Sequence, residues 1–225
     1  MGGRGANSNS GLSDGPIPGG GGSGGNKKYG QPNTPQMRPP APTIEGQIGD
    51  KKKPQSPIEA MRKVNPDIKA IDAMDYEDYQ SNCQRCVVAY ELNRRGYNVE
   101  AEATGRNDPY PHGDYYLTAF KGAKLENVGA RTTLGVNNNI LDKMSKWGEG
   151  SRAVVAVSSG GKGHVFNVEY RNGKLFYYDA QHELRYDVAR VFNHVTKRDV
   201  QIARVDNLAI GDNVRDMVRK SRSGR

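Results

Sequence analysis

An α+β fold, in which a cysteine-bearing helix packs on a mostly antiparallel sheet behind a disordered tail, is predicted by three observations. The polar run Gln80-Ser81-Asn82 opens a largely apolar stretch from Cys83 that closes near Gly96. Two runs rich in Val, Phe and Tyr, Gly163 to Tyr170 and Lys174 to Gln181, flank Asn172-Gly173, the strongest short-range hairpin signal. The first 57 residues hold 14 of the 28 glycines and 9 of the 12 prolines, and such a segment buries too little apolar surface to offset chain entropy.

The helix comes first because it carries the chemistry. Asn82 is a good N-cap residue, Cys83 follows it directly, and Gly96 suits the position just past the end, so the helix is expected over Cys83 to Arg95. Its start is apolar on most sides, as in a helix enclosed between layers. A thiol in the first turn lies where the helix end contributes about half a positive charge, an effect that decays within that turn and favours the thiolate.

The hairpin supplies partners for that thiol. With Asn172 and Gly173 as the central turn residues, Arg171 pairs with Lys174, Phe166 with Asp179 and His164 with Gln181. Side chains alternate faces with period two, so His164, Phe166, Asp179 and Gln181 point to one side. His164 and Asp179 are then diagonal neighbours, about 7–8 Å apart at the backbone and closer at the side chains. A nucleophile, an imidazole base and a carboxylate that orients the base make up the triad pattern, here Cys83, His164 and Asp179. A bulge in either strand would shift the register and break the arrangement.

Rival readings of these residues are weaker. Cys83-x-x-Cys86 resembles half of a zinc site, but four ligands are normally needed, the chain has two cysteines, and His112, His164, His182 and His194 lack ligand spacing. No metal and no cofactor is therefore expected. A redox pair would follow a strand, whereas the segment before Cys83 is acidic and polar. Buried structural cysteines would leave the His164 and Asp179 register unexplained. His112 is a rival base in the Pro/Gly-rich stretch Asp108 to Asp114. Ser159-Gly160-Gly161-Lys162-Gly163 lacks phosphate-loop spacing and leads into a strand; its glycines are read as letting substrate backbone approach His164.

The strings QSNCQRCVVAYELNRRG from Gln80 to Gly96, GHVFNVEY and LFYYDAQ together resemble the papain-fold toxin domain, the glutamine-deamidase-like family of bacterial polymorphic toxins and of phage head-morphogenesis or minor structural proteins. The resemblance covers about residues 79 to 205. It implies a papain-like cysteine-enzyme fold, a Cys-His-Asp site acting on a protein amide by glutamine deamidation or peptide cleavage, a protein substrate, a cognate immunity protein, and a phage or toxin carrier. Similarity to papain itself, where a glutamine six residues ahead of the nucleophile serves the oxyanion hole, would select Cys86 with Gln80 as donor. The capping argument favours Cys83, leaving Cys86 to face the core or to control the redox state of Cys83. Gln80, Asn82 and Gln181 are the candidates for oxyanion or substrate binding.

The rest of the chain divides into a Gly/Pro-rich linker over 1–57, a connecting segment over 58–78 with a short helix from Ile58 to Lys63, and the catalytic domain over 79–225. Within the last, strands are expected over Tyr97 to Ala103, Arg152 to Ser158 and Asp199 to Val205, and helices from Asn137 to Trp147, Tyr186 to Asn193 and Val214 to Arg219. Residues 105–135 read as irregular, and the sheet as four or five mostly antiparallel strands. The net charge of +8 is split evenly between the linker and the remainder. The basic cluster Arg215, Arg219, Lys220, Arg222 and Arg225 is read as a solvated tail, and no interleaving of basic and aromatic residues supports specific nucleic-acid recognition. Without an apolar signal core or a run of membrane-spanning length, the expected product is made in the bacterial cytoplasm, free of the membrane, for delivery on a phage particle or as an effector. The alternative is a catalytically silent docking module of such a particle.

Overall fold

The computed structural model describes residues 43–69, 79–104 and 113–222. The Gly/Pro-rich chain up to residue 42, the acidic segment Asp72 to Asp78 and the rival base His112 lie outside them.

The cysteine helix is α3, Cys83–Arg94, after α1 (Ile44–Ile48) and α2 (Pro57–Val64). Its residues from Cys86 to Asn93 are all buried, which explains the absence of a polar face. Gly96 follows with φ 103°, and a Cβ there would lie 2.1 Å from the Lys52 carbonyl oxygen, so only glycine closes this helix. Next come β1 (Val99–Ala101), β2 (Glu126–Asn127), α4 (Thr133–Trp147), β3 (Arg152–Ser159), β4 (Lys162–Arg171), β5 (Lys174–Asp179), β6 (Leu184–Tyr186), α5 (Val188–Val191), β7 (Gln201–Arg204) and β8 (Val218–Lys220).

Six strands form one antiparallel sheet in the order β2-β7-β3-β4-β5-β6, and β1 pairs with β8 in a separate ribbon. The β4–β5 register is the expected one: Arg171 pairs with Lys174 and Asn167 with Tyr178, with Asn172 at φ 50° and Gly173 at φ 73° in the turn. Alternation sorts the strand residues between two cores. Val154, Val165 and Tyr178 pack with α3, while Val155, Phe166 and Tyr177 pack with Ile140 and Met144 of α4.

Polar ties hold α3 in place. Asn167 Nδ2 donates to the Val87 carbonyl at 3.2 Å, and the buried Glu169 accepts from Tyr90 Oη at 2.7 Å and from Arg94 Nε at 2.6 Å. Glu91, fully buried on the helix, accepts from Arg95 Nε at 2.8 Å and from Arg152 Nε at 2.7 Å on β3. A buried carboxylate without such partners would be strongly destabilising.

Several elements differ from expectation. The linker boundary after Pro57 falls at the first residue of α2, yet Ile48 of α1, well before it, is buried in the same core as Val64 of α2 and the residues of α3. Gln47 Nε2 also donates to the Arg215 carbonyl at 2.6 Å, so two isoleucines and one amide order a segment whose composition argues for disorder. Helix α4 begins at Thr133 instead of near Asn137, because the Thr132 hydroxyl caps it by accepting from Gly135 N at 3.1 Å. Gly160 and Gly161, at φ 54° and 81°, form a tight turn between β3 and β4. The helix expected over Tyr186 to Asn193 shrinks to the four residues of α5, since Asp187 caps it and β6 occupies the chain before it. The chain end is β8 after a 3-10 turn, Asp212–Asp216, and not a helix. Nor are all its arginines solvated: Arg219 pairs with Asp67, Glu100 and Glu102, and Arg222 reaches Asp67 and Glu100. Those partners are distant in sequence, which is why charge counting along the chain missed them. Among the described residues, no helix is long and apolar enough to cross a membrane.

Replacing Glu91 with Ala leaves Arg95 and Arg152 without their shared carboxylate and is expected to lower stability by about 3–5 kcal/mol. Urea unfolding followed by circular dichroism measures this, and a loss under about 1 kcal/mol would show that the tie between α3 and β3 is dispensable.

Candidate active site

Cys83, the first residue of α3, is partly exposed and opens on a cleft of about 660 Å³ that Gln80, Gln84, Tyr116, His164 and Gln181 also line. His164 stands near the start of β4, beside the β3–β4 turn, with 30 % of its side chain exposed. Asp179 ends β5 and is 1 % exposed. The expected diagonal contact is made: His164 Nε2 and Asp179 Oδ2 are 2.9 Å apart. Cys83 and His164 line the same cleft, and the thiol is among the groups that shift the titration of the ring. The ring therefore stands between the Cys83 cleft and the Asp179 carboxylate.

The electrostatics follow from this placement. Burial alone would depress the pKa of His164, but the hydrogen bond to Asp179 and the interaction with Cys83, together with their charges, raise it from 6.5 to about 10. Burial alone would raise that of Asp179, but His164 and His182 donate to it, and with their charges they hold the carboxyl well below the usual carboxylate range. Asp179 Oδ2 also accepts from Tyr186 Oη at 3.0 Å and lies 3.0 Å from His182 Nδ1, while Oδ1 accepts from Gln181 N at 3.1 Å.

Cys86 lies elsewhere. It is 1 % exposed, its Sγ donates to Asn82 Oδ1 at 3.2 Å, and burial pushes its thiol well above the ordinary range. Of the two cysteines, Cys83 is therefore the one that the fold brings to His164.

The three oxyanion or substrate-binding candidates are placed differently from one another. Gln80 is exposed at the cleft. Asn82 occupies the N-cap position but makes no side-chain cap bond. It is buried, and its Nδ2 donates inward to Asn65 Oδ1 and to the Glu102 carbonyl, both at 3.1 Å, leaving no amide hydrogen for an oxyanion. Gln181 is buried at the cleft wall, with Nε2 3.5 Å from Asn82 Oδ1, while its carbonyl accepts from Asn65 Nδ2 at 3.2 Å. Asn65, Asn82 and Gln181 thus join the segment after α2, the start of α3 and the end of β5, which sets Cys83 against the hairpin.

Sequence reasoning missed three of these groups. Asn65, before Pro66, reads as a helix stop, and nothing local points to its amide partners. His182 would face away from Asp179 if β5 continued, but a turn over 180–183, with Glu183 at φ 56°, returns it to the carboxylate. Tyr186 arrives as the last residue of β6, where the sequence reading began a helix.

Among the described residues, His164, Asp179 and His182 form the group whose donor atoms come close enough for a metal, all within 4.8 Å of one another. The atoms on Asp179 Oδ2 already have each other as partners, and three ligands fall short of a closed structural zinc set.

Residues 81–183 match a protein family described as papain fold toxin 1, glutamine deamidase. The match spans a little under half of the chain and includes Asn82, Cys83, His164, Asp179 and Gln181, but not Asn65 or Tyr186. No match is found among curated proteins or among solved structures.

The ion pair predicts a pH signature. His164 has a folded pKa above its ordinary value, so its contribution to stability is full below pH 6.5 and is lost as pH rises through about 10. Asp179 has a depressed pKa, so its contribution is present above its ordinary 3.8 and is lost as pH falls below that value. The stability difference between wild type and Asp179→Asn is therefore expected to peak between about pH 4 and 6.5 and to narrow toward pH 10. In the same variant the His164 Cε1 proton should titrate closer to 6.5 by NMR. An unmoved titration would show that Asp179 does not hold the ring charged.

Proposed function

We propose that the papain-fold toxin domain formed around residues 81–183 is a cysteine-dependent amidohydrolase that converts a glutamine carboxamide of a protein substrate to a carboxylate. The carrying observation is the His164 ring, hydrogen-bonded to Asp179 and set, with Cys83, in the wall of one open cleft. Deamidation is preferred to peptide cleavage on the description of the matching family.

The reaction proceeds in two displacements. The Cys83 thiolate attacks the carboxamide carbon, and the tetrahedral oxyanion is held by backbone N–H groups at the start of α3 and by the Gln80 side chain. His164, protonated and fixed by Asp179, delivers its proton to the leaving nitrogen, so ammonia departs and a thioester remains. Water then attacks the thioester, His164 takes the water proton, and the carboxylate product leaves with the thiol restored. Atoms balance as amide plus water giving acid plus ammonia, with no cofactor consumed. The inward hydrogen bonds of Asn82 make it a positioning residue in this scheme, and Gln181 serves with it.

The toxin-domain match is compatible with a cognate immunity protein that covers the cleft, and the N-terminal chain would tether the domain to a phage or toxin carrier. A silent docking module of the same fold has no need for a reactive thiol. Iodoacetamide labelling of each cysteine across pH, resolved by peptide mass spectrometry, separates the two. Cys83 is expected to label and Cys86 to resist, and His164→Ala should slow Cys83 by roughly tenfold at neutral pH, where an ordinary thiol is only a few per cent thiolate. Equal, His164-independent labelling of both cysteines would favour the docking module. In bacteria, expression of the wild-type domain is expected to slow growth and to leave amide-to-acid mass shifts at glutamines of a host protein, both absent with Cys83→Ala.

A further inference from the structure

A second cleft, of about 320 Å³, adjoins the first at His164. Val157, Lys162 and His164 line both, so the imidazole and its strand neighbours are a shared wall. The second cleft is distinguished by its charge. Lys162 and Arg190 line it, Ser159, Asn193 and His194 add further polar groups, and none of its lining residues is acidic.

These cations are not neutralised from within the fold. Lys162 and Arg190 are exposed, and neither has a carboxylate partner among the described residues, in contrast to Arg94, Arg152 and Arg219, each of which does. The Arg190 guanidinium stands over the Tyr186 ring, 5.8 Å from its centroid, and Tyr186 is itself anchored on Asp179. Asp179 spends its oxygens on His164, His182, Tyr186 and Gln181, leaving the cleft cations for an external anion.

We infer that this basic cleft is the subsite for an acidic side chain of the substrate polypeptide, one or two residues from the glutamine that meets Cys83. The inference rests on the deamidation reading above and adds the kind of sequence the domain would select. An extended chain rises about 3.3 Å per residue, so a glutamine in the Cys83 cleft places its neighbours past the His164 ring. There, Lys162 and Arg190 supply charge, with Arg190 able to take a carboxylate in bidentate fashion. The volume of the cleft suits one side chain against its apolar walls of Val157, Phe166 and Val191.

The test separates binding from chemistry. Full-length Cys83→Ala protein is titrated against two fluorescein-labelled, end-blocked peptides that contain one glutamine, flanked either by Asp or by Asn. Anisotropy is expected to show the Asp peptide binding about tenfold more tightly, as two partly exposed ion pairs would give, and Lys162→Gln with Arg190→Gln should erase the difference. Both side chains are exposed, and an unchanged melting temperature verifies that the double variant is folded. Equal binding of the two peptides, or a preference that survives the double variant, overturns the inference. A single-stranded oligonucleotide of equal charge that binds more tightly than the Asp peptide, and loses that binding in the double variant, overturns it in favour of a nucleic-acid site. If the Asp preference holds but wild-type protein leaves the peptide glutamine unconverted, the acidic subsite stands and deamidation falls.

Discussion

Everything at the candidate site depends on keeping one carboxylate charged out of water. Asp179 is buried at the end of a central strand, where an unpaired charge would cost several kcal/mol. Four donors meet that demand: the rings of His164 and His182, the Tyr186 hydroxyl and the Gln181 amide. Each partner is oriented in return. The same bonds raise the pKa of His164 at the wall of the Cys83 cleft, anchor Tyr186 of β6, and tie the 180–183 turn back to the strand end through His182. The geometry of the candidate site and a local fold are satisfied by the same set of hydrogen bonds.

The thiol must meet this constellation from a different element, which calls for a helix that neither slides nor rotates. Apolar burial alone would not specify this, because α3 is enclosed on all sides and lacks an amphipathic stripe to choose its rotation. The buried carboxylates supply the choice. Glu169 on β4 draws in Tyr90 and Arg94, and Glu91 on α3 draws in Arg152 of β3. At the opposite end the facing amides of Asn65 and Asn82 tie the first turn to the segment after α2. The helix is held by directional contacts along its length, with Cys83 left at the open end.

Legibility in the sequence followed the range of the interactions. The hairpin was readable because Asn172-Gly173 sets the register and period-two alternation carries it along both strands to His164 and Asp179. The helix was readable because its start and its closing glycine are local signals. His182, Tyr186 and Asn65 were not readable, since each acts through a chain reversal or a contact with a distant segment. The same holds for Arg219 and Arg222, whose carboxylate partners on Asp67, Glu100 and Glu102 lie more than 100 residues away. A list of charges along the chain contains no information about such pairs.

The sequence by itself determined that this chain has a cysteine at a helix start and a histidine and a carboxylate on one face of a hairpin, because capping and strand alternation act over a few residues. The tertiary structure decided which cysteine meets the histidine. Cys83 and Cys86 are one helical turn apart, but Cys86 is buried in the core with its thiol on the Asn82 amide while the cleft receives Cys83. It also decided that the far side of His164 is basic, since Lys162 and Arg190 line one cleft only when β4 and α5 are packed. Burial and long-range pairing made both decisions, and neither can be expressed as a spacing along the chain.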